Sequence, residues 1–311
     1  MQYFGELISL GVAFSWTITA ILSEYASKRL GSITLNMLRM VFALAFSVVM
    51  FLVVFGKPLP AEGSTEAYCW MALSGFVGFV MCDYCLMKCY TIIGSRFGQL
   101  FMTLAPLSAA ITAWILLGQK LQMISILAMF VTLAGISISI LGRGDNHILS
   151  LKLPANGVFY AAVAAVCQGI GLVISKVGLD SYQASMPHDV AISTPWMLPF
   201  CANFFRCLAG LGGFTVLMIF NKSFGKFRNS FRDGKIMVAV IATTIFGPFV
   251  GVAFSLMAVQ YTAAGIASTL MALTPIIILI PSRYMFHQHI TWKEITGACI
   301  SVVGVAMFFL G

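Results

Sequence analysis

Long apolar runs alternate with short polar stretches along the whole chain. A helix needs about 20 consecutive apolar residues to cross a bilayer. Ten runs approach that length: residues 4–25, 33–55, 67–90, 96–118 and 122–141, then 155–177, 197–220, 236–259, 264–286 and 291–310. The runs are too long for barrel strands, and only helices remain to satisfy the backbone polar groups in lipid. The pattern predicts an all-α integral membrane protein with ten transmembrane helices.

The polar stretch 142–153 separates two similar halves, which predicts one five-helix repeat over residues 1–141 and a second over residues 154–311. An Asn-x-x-Arg motif lies in the second run of each half, at Asn36 and Arg39 and again at Asn203 and Arg206. Other residues coincide at shifts of 152 or 169: Gly5 with Gly157, Ser23 with Ser175, Gly78 with Gly247, Pro106 with Pro275, Gln119 with Gln288, Gly135 with Gly304, and Gly142 with Gly311. Because five is odd, the second repeat enters the membrane inverted, as is typical of alternating-access carriers.

Composition supports a bilayer as the solvent of this chain. Hydrophobic residues make up 60% of it and charged residues 9%, whereas soluble domains are about 25% charged. The net charge of +8 does not indicate a nucleic-acid partner, since the basic residues lie between apolar runs, where they orient spans and meet lipid headgroups. We predict a multi-pass protein of the cell membrane, the inner membrane if the source is a bacterium.

The loop charges predict the orientation of the chain. With the N-terminus outside, the outward loops hold only Lys57 and Lys120, while the inward segments are rich in Lys and Arg, above all between Lys222 and Lys235. The positive-inside rule therefore places both termini outside. Residues 1–22 lack a basic start and are followed almost at once by another apolar run, so they are interpreted as a retained first span.

Several motifs resemble the EamA-type carriers of the drug/metabolite transporter superfamily. The first copy reads Gly98-Gln99-Leu100-x-x-x-Leu104-Ala105-Pro106-Leu107, then Trp114-x-x-Leu117-Gly118-Gln119-Lys120-Leu121 and Gly135. The second copy reads Ala267-Ser-Thr-Leu-Met-Ala-Leu-Thr-Pro275, then Gly297 and Gly304. The chain departs from the family at Gln119 and Gln288, where relatives usually carry Glu. The resemblance implies ten helices in inverted repeats and transport of amino acids, related metabolites or drugs.

Asp83 is the acid placed deepest in an apolar run, and no basic residue lies three or four positions away. An unpaired carboxylate in hydrocarbon takes up a proton, so Asp83 is a candidate proton carrier or a docking point for a substrate amine. The structural alternative is an ion pair with Arg39. Its counterpart in the second repeat is Val252, which predicts an asymmetric site.

Arg206 is the deepest basic residue, and Arg39 lies nearer the end of its run. The guanidinium of Arg206 could bind a carboxylate or phosphate through two parallel hydrogen bonds. The alternative is a structural bond to backbone carbonyls freed near Pro248 or Pro275. Both interpretations stay open from the sequence.

Glu24 and Lys176 occupy equivalent positions in the two repeats. They would lie near opposite faces of the membrane, one acidic and one basic. Each also has a local partner four residues on, Lys28 for Glu24 and Asp180 for Lys176. They are therefore either coupling residues or ordinary surface pairs.

Uncharged candidates complete the predicted site. Aromatic and amide side chains are typical of ligand cavities, and those proposed here are Gln99, Gln168, Trp16 and Tyr84. Pro106, Pro248 and Pro275 are candidate helix breaks, which expose carbonyls beside transport sites.

No metal is predicted, because three cysteines at 82, 85 and 89 have no nearby His to complete a zinc site. No catalytic residue and no cofactor are predicted.

The leading hypothesis is a secondary transporter that exports a small polar metabolite, such as an amino-acid-like solute, by alternating access. Protons are a candidate coupling ion. Multidrug efflux is the alternative, and a membrane-embedded enzyme or scaffold is a further one. The inverted repeat favours a carrier over a scaffold, because a scaffold has no need of two-fold pseudo-symmetry.

Overall fold

A computed structural model describes residues 3–59, 63–141, 154–186, 195–277 and 292–308. Helices and the turns between them account for these residues, and no strand occurs among them. Predictions that concern Gly142, Gln288 or Gly311 therefore lie outside the described residues.

The first half begins with two long helices, α1 (Phe4–Leu30) and α2 (Ser32–Phe55), which meet at Gly31. Helix α3 (Thr65–Gly75) runs into a wider π-helical stretch, Phe76–Asp83, here termed the first π segment. The chain continues as α4 (Tyr84–Met102), α5 (Ala105–Leu117) and α6 (Met123–Leu141).

The second half follows the same order of elements. It contains α7 (Ala155–Ser185), a short turn at Pro195–Met197, α8 (Leu198–Phe220) and a seven-residue loop helix α9 (Phe224–Ser230). Helix α10 (Gly234–Thr244) then runs into a second π segment, Ile245–Phe249, which is followed by α11 (Val250–Tyr261). The described part ends with α12 (Ala264–Met271), α13 (Thr274–Ile277) and α14 (Trp292–Phe308).

Six helical segments are long and apolar enough to cross a membrane: Phe4–Leu30, Ser32–Phe55, Thr65–Ser95, Ala155–Ser185, Pro195–Phe220 and Gly234–Tyr261. Four further apolar helices are shorter, at Ala105–Leu117, Met123–Ile138, Ala264–Ile277 and Ile295–Met307. Large apolar side chains such as Phe14, Trp114 and Ile219 are exposed on the outer surface, as expected where lipid is the solvent. The protein is therefore a multi-pass, all-helical membrane protein.

The observed helices depart from the predicted runs at several places. The run 264–286 breaks at Ala272 and Leu273, just before Pro275. The run 96–118 is not one helix, since it breaks at Thr103 and Leu104, just before Pro106. Pro106 has no N–H to bond the preceding turn, so a new helix starts there. The backbone of Gly94, with φ of 82°, interrupts α4. Helix α7 continues to Ser185, well past the predicted end at 177.

Contacts between the two halves occur in matching pairs. Helix α1 packs against α10, α11, α12 and α13, and α7 packs against their counterparts α3, α4 and α5. Helices α6 and α14 pack directly on each other. At that seam a Cβ on Gly304 would collide with Thr132, and one on Gly135 would collide with Ser301. These four residues form two equivalent pairs at a shift of 169, so each half presents the same surface to the other.

Candidate functional site

A cavity of about 90 Å³ lies in the interior, between the two halves. A single water occupies roughly 10–15 Å³ on the same measure, so this space suits a few waters or one small solute. Both π segments, the helices that carry the Asn-x-x-Arg motifs, and the breaks before Pro106 and Pro275 contribute to its wall. This cavity is the candidate functional centre of the protein.

Equivalent residues of the two repeats line this cavity together. Arg39 and Arg206, Gly78 and Gly247, and Asp83 and Val252 are such pairs. Further pairs are Trp16 and Gln168, Thr19 and Gly171, Ala20 and Leu172, Leu86 and Ser255, Gln99 and Ser268, Met102 and Met271, and Ala105 and Thr274. The wall is thus matched in position, while its chemistry differs from one side to the other.

On the first-repeat side, three polar residues form one hydrogen-bonded group. Nη1 of Arg39 donates to Oδ1 of Asn36 at 2.7 Å and to Oδ2 of Asp83 at 2.9 Å. The Arg39 side chain is 4% exposed and that of Asp83 is 14% exposed. The carboxylate therefore has a buried counter-charge, which is the structural alternative raised for Asp83 from the sequence. Asp83 also lines the cavity, so it remains within reach of a solute.

On the second-repeat side, Arg206 forms no ion pair of its own: Asp83 is close enough to act on it electrostatically, but its hydrogen bond goes to Arg39. Arg206 is 5% exposed, and its Nε has no hydrogen-bond partner. Its guanidinium lies 5.2 Å from the ring centre of Phe79, a cation–π contact. Among the described residues it forms no ion pair and no side-chain hydrogen bond. The cavity thus holds a buried guanidinium whose donors, five in any arginine, lack acceptors.

Each arginine reaches across to the π segment of the other repeat. A Cβ on Gly78 would lie 2.8 Å from Nη2 of Arg206, and a Cβ on Gly247 would lie 2.8 Å from Nη2 of Arg39. Glycine is needed at both places because the guanidinium fills the space of a side chain. The π segments widen the helices at these contacts, and such segments occur often at functional sites.

The carbonyl of Pro248, in the second π segment, is bonded by Asn203 and not by Arg206. Nδ2 of Asn203 donates to the carbonyl of Pro248 at 2.6 Å. The structural bond proposed for Arg206 from the sequence is therefore not the contact found. Pro106 lies in the first turn of α5, and Pro275 lies in α13, next to the cavity residue Thr274.

The uncharged candidates divide into three that line the cavity and one that does not. Nε2 of Gln99 donates to the Tyr90 hydroxyl at 2.5 Å, and Oε1 of Gln168 accepts from Sγ of Cys82 at 3.4 Å. Both amides and Trp16 are in the cavity wall. Tyr84 lies elsewhere, edge-on against Tyr160 with ring centres 6.3 Å apart.

Glu24 and Lys176 lie outside the cavity wall and make the local pairs expected from their spacing. Lys28 is 2.5 Å from Glu24, and Lys176 is 2.6 Å from Asp180. Glu24 has a further role that the sequence did not reveal. Its carboxylate accepts hydrogen bonds from the N–H and the hydroxyl of Ser95, the residue that follows the kink at Gly94. It therefore ties α1 to the far side of that kink.

Several wall residues were not anticipated from the sequence. Tyr90, Ser255, Ser268 and Thr274 face the cavity together with the amides. Ser268 and Thr274 could have been found, because both lie in the motif 267–275, which ends at Pro275. Tyr90 gave no comparable indication, since an aromatic residue in an apolar run most often fills space between helices.

Comparisons with known proteins agree with this architecture. A family model described as "EamA-like transporter family" matches residues 3–141 and again residues 155–310. A solved structure described only as "Crystal structure of protein" is similar with a TM-score of 0.73 at 17% identity, over 100% of this chain and 97% of that one. At that identity the likeness shows the fold alone. A search among curated proteins gives no match.

Proposed function

Since the chain belongs to the EamA-like transporter family, we propose that it is a secondary carrier that exports a small polar metabolite by alternating access. Membership makes it a transporter of the drug/metabolite superfamily. One observation carries the finer proposal: a small interior cavity is built from equivalent residues of both halves and holds the buried charges Asp83, Arg39 and Arg206.

We further propose ten membrane-spanning helices in two inverted repeats, divided at residues 142–153. Under a two-fold axis, each contact from one half to the other must have its mirror contact. The pairs Arg39 with Gly247 and Arg206 with Gly78 obey this rule, and so do the glycine contacts between α6 and α14. A cavity on such an axis can open to either side when one half rocks against the other.

An amino-acid-like solute fits the charges in the cavity. Arg206 offers unpaired donors for a carboxylate. Asp83 uses its Oδ2 for Arg39, so that Oδ1 can accept from an ammonium group. The wall otherwise offers amides, hydroxyls and apolar side chains, among them Gln99, Ser268 and Met271. The cavity does not favour large hydrophobic cations, since the charge in it that forms no ion pair, on Arg206, is positive.

The transport proposal is tested by comparing external metabolites of cells that express the protein with those of cells that do not. Export raises one or a few small polar solutes outside the cells, whereas import lowers them. Solutes found this way are then supplied to liposomes containing purified protein. Movement of no member of a broad metabolite panel would remove the basis of the proposal. Resistance to structurally unrelated drugs in a pump-deleted host, without metabolite export, would favour multidrug efflux instead.

Orientation is tested by cysteine labelling in intact cells, after the exposed Cys69 and Cys299 have been replaced. We propose that both termini are outside and that the basic loop around α9 is cytoplasmic. Ser230 is buried, so the exposed Asn229 is the better position. Asn229→Cys should resist an impermeant thiol reagent until the membrane is permeabilised, while Lys57→Cys labels at once. The reverse pattern would place the termini inside.

Proton coupling is a separate proposal that rests on Asp83. If Asp83 carries the proton, Asp83→Asn should abolish pH-driven transport and leave solute exchange largely intact. If it binds the ammonium group, the same change should weaken exchange itself. Normal rate and pH dependence in Asp83→Asn would eliminate both roles, and Arg206 would then be the main site residue.

A further inference from the structure

Arg206 and Arg39 are equivalent residues of the two repeats, and each lies against the glycine in the π segment of the other repeat. The residue that neutralises Arg39 is Asp83, and the counterpart of Asp83 in the second repeat is Val252. Val252 lines the same cavity as Arg206. The second repeat therefore has the arginine of this pair and lacks its acid.

We propose that the carboxylate of the transported solute takes the place at Arg206 that Asp83 takes at Arg39. The proposal rests on the proposed carrier function and specifies which chemical group the cavity recognises. Arg206 acts as the specificity-determining residue. Val252 keeps that position free of an internal acid, which would otherwise compete with the solute.

Charge and burial support a carboxylate as the missing partner. The cavity wall holds two guanidinium groups and one carboxylate, so one positive charge is left over. An unpaired charge in a buried site is costly, and a partner with hydrogen-bond acceptors relieves that cost. A monocarboxylate supplies one negative charge and two acceptor oxygens, which match the planar fork of a guanidinium. A phosphate dianion would overcompensate the charge.

Contacts with the first repeat also orient the guanidinium of Arg206. The ring of Phe79 covers one side, and Gly78 of the first π segment lies against Nη2. Both residues belong to the first repeat, whereas Arg206 and Val252 belong to the second. A carboxylate bound at Arg206 would thus lie at the junction of the halves that are proposed to move against each other.

The experiment measures counterflow in liposomes with monocarboxylates and their primary amides, such as L-leucine with L-leucinamide and L-lactate with lactamide. Each amide has nearly the shape of its acid but lacks the negative charge of the carboxylate. The parent protein should prefer acids over amides. Arg206→Gln should lower that preference about 10- to 100-fold, the range expected for loss of a hydrogen bond to a charged group. Arg206→Lys should lose less, because it keeps the charge without the fork.

Val252→Asp and Val252→Asn form the decisive pair, because Asp and Asn differ in charge and hardly in volume. Val252→Asp should lose the acid preference, since its carboxylate pairs with Arg206. Val252→Asn should keep the preference, whatever its overall rate. Size-exclusion profiles and helical circular dichroism show which variants fold. If Val252→Asp does not fold, the Arg206 variants carry the test.

The outcomes separate this inference from the carrier proposal. Equal transport of acids and amides by the parent protein would overturn the inference, as would an acid preference that survives in Val252→Asp or in Arg206→Gln. Transport of other solutes with no movement of acids would also overturn it and leave the carrier proposal standing. Movement of no solute at all would count against both.

Discussion

The two Asn-x-x-Arg motifs face the same cavity, yet one is internally neutralised and the other is not. In the first repeat, Arg39 donates hydrogen bonds to both Asn36 and Asp83. In the second, Asn203 bonds the Pro248 carbonyl, and Arg206 makes no side-chain hydrogen bond among the described residues; the Nε atoms of both arginines lack a partner. The difference teaches that a duplicated motif can hold the fold together in one copy and remain available for a ligand in the other.

The largest expected difference in stability is between variants that lack one arginine or the other. Arg39→Gln strands the carboxylate of Asp83 in a site where its side chain is 14% exposed, and the loss of one partner of a buried pair costs about 3–5 kcal/mol. Arg206→Gln removes a charge that has no partner. This variant should lose at most the stability contributed by the cation–π contact with the Phe79 ring, about 0.5–2 kcal/mol. Thermal unfolding of the purified protein in detergent measures both.

The double variant Arg39→Gln with Asp83→Asn is the control for that experiment. Removing both charges leaves no stranded carboxylate, so much of the lost stability should return. Equal destabilisation by Arg39→Gln and Arg206→Gln would break the comparison between the two motifs.

The asparagines should show a smaller difference in the same direction. Asn36→Ala removes a hydrogen bond to a charged guanidinium, worth about 1.5–3 kcal/mol, whereas Asn203→Ala removes a neutral bond worth about 0.5–1.5 kcal/mol. The volume removed is the same in both variants, so the cavity cost largely cancels. A greater loss in Asn203→Ala, measured by the same unfolding assay, would show that the Pro248 bond is the more important one.

The smallest difference in stability is expected from substitutions at Gly78 and Gly247, the glycines that lie against the two arginines. An alanine at either position places its Cβ 2.8 Å from a guanidinium nitrogen. Arg39 is held by two hydrogen bonds and cannot retreat, while Arg206 has none to break. Overpacking costs about 1–3 kcal/mol, and we expect Gly247→Ala to be in the upper part of that range and Gly78→Ala in the lower part. The reverse order of apparent melting temperatures would mean that Arg206 is the more rigid of the two.

The sequence predicts the helical membrane class well, because long apolar runs leave few other folds. It also indicates the repeat, since the motif at Asn36 and Arg39 recurs at Asn203 and Arg206. Helix continuity is harder to predict. The kink at Gly94 and the first π segment depend on tertiary packing, and Pro248 marks only the second π segment.

The candidate site was partly predictable for the same reason. Charged residues in apolar runs are conspicuous, so Asp83, Arg39 and Arg206 were found. The pair of Asp83 with Arg39 was one of the alternatives left open, and the sequence could not choose it, because which group reaches Asp83 depends on how helices separated in the chain pack together. Tyr84 and Tyr90 show the limit most clearly, since both are tyrosines of the same helix and only Tyr90 faces the cavity.

The presence of Val252 where the first repeat has Asp83 has a consequence for how the two halves can evolve. In a dimer of identical chains, every mutation appears twice, so a cavity on the symmetry axis has two acids or none. Its cargo could then be held in two equivalent orientations. When both halves are encoded in one gene, positions 83 and 252 can mutate separately, and the cargo then has a single preferred orientation. Discrimination between head and tail of a molecule thus becomes a property that evolution can adjust one codon at a time.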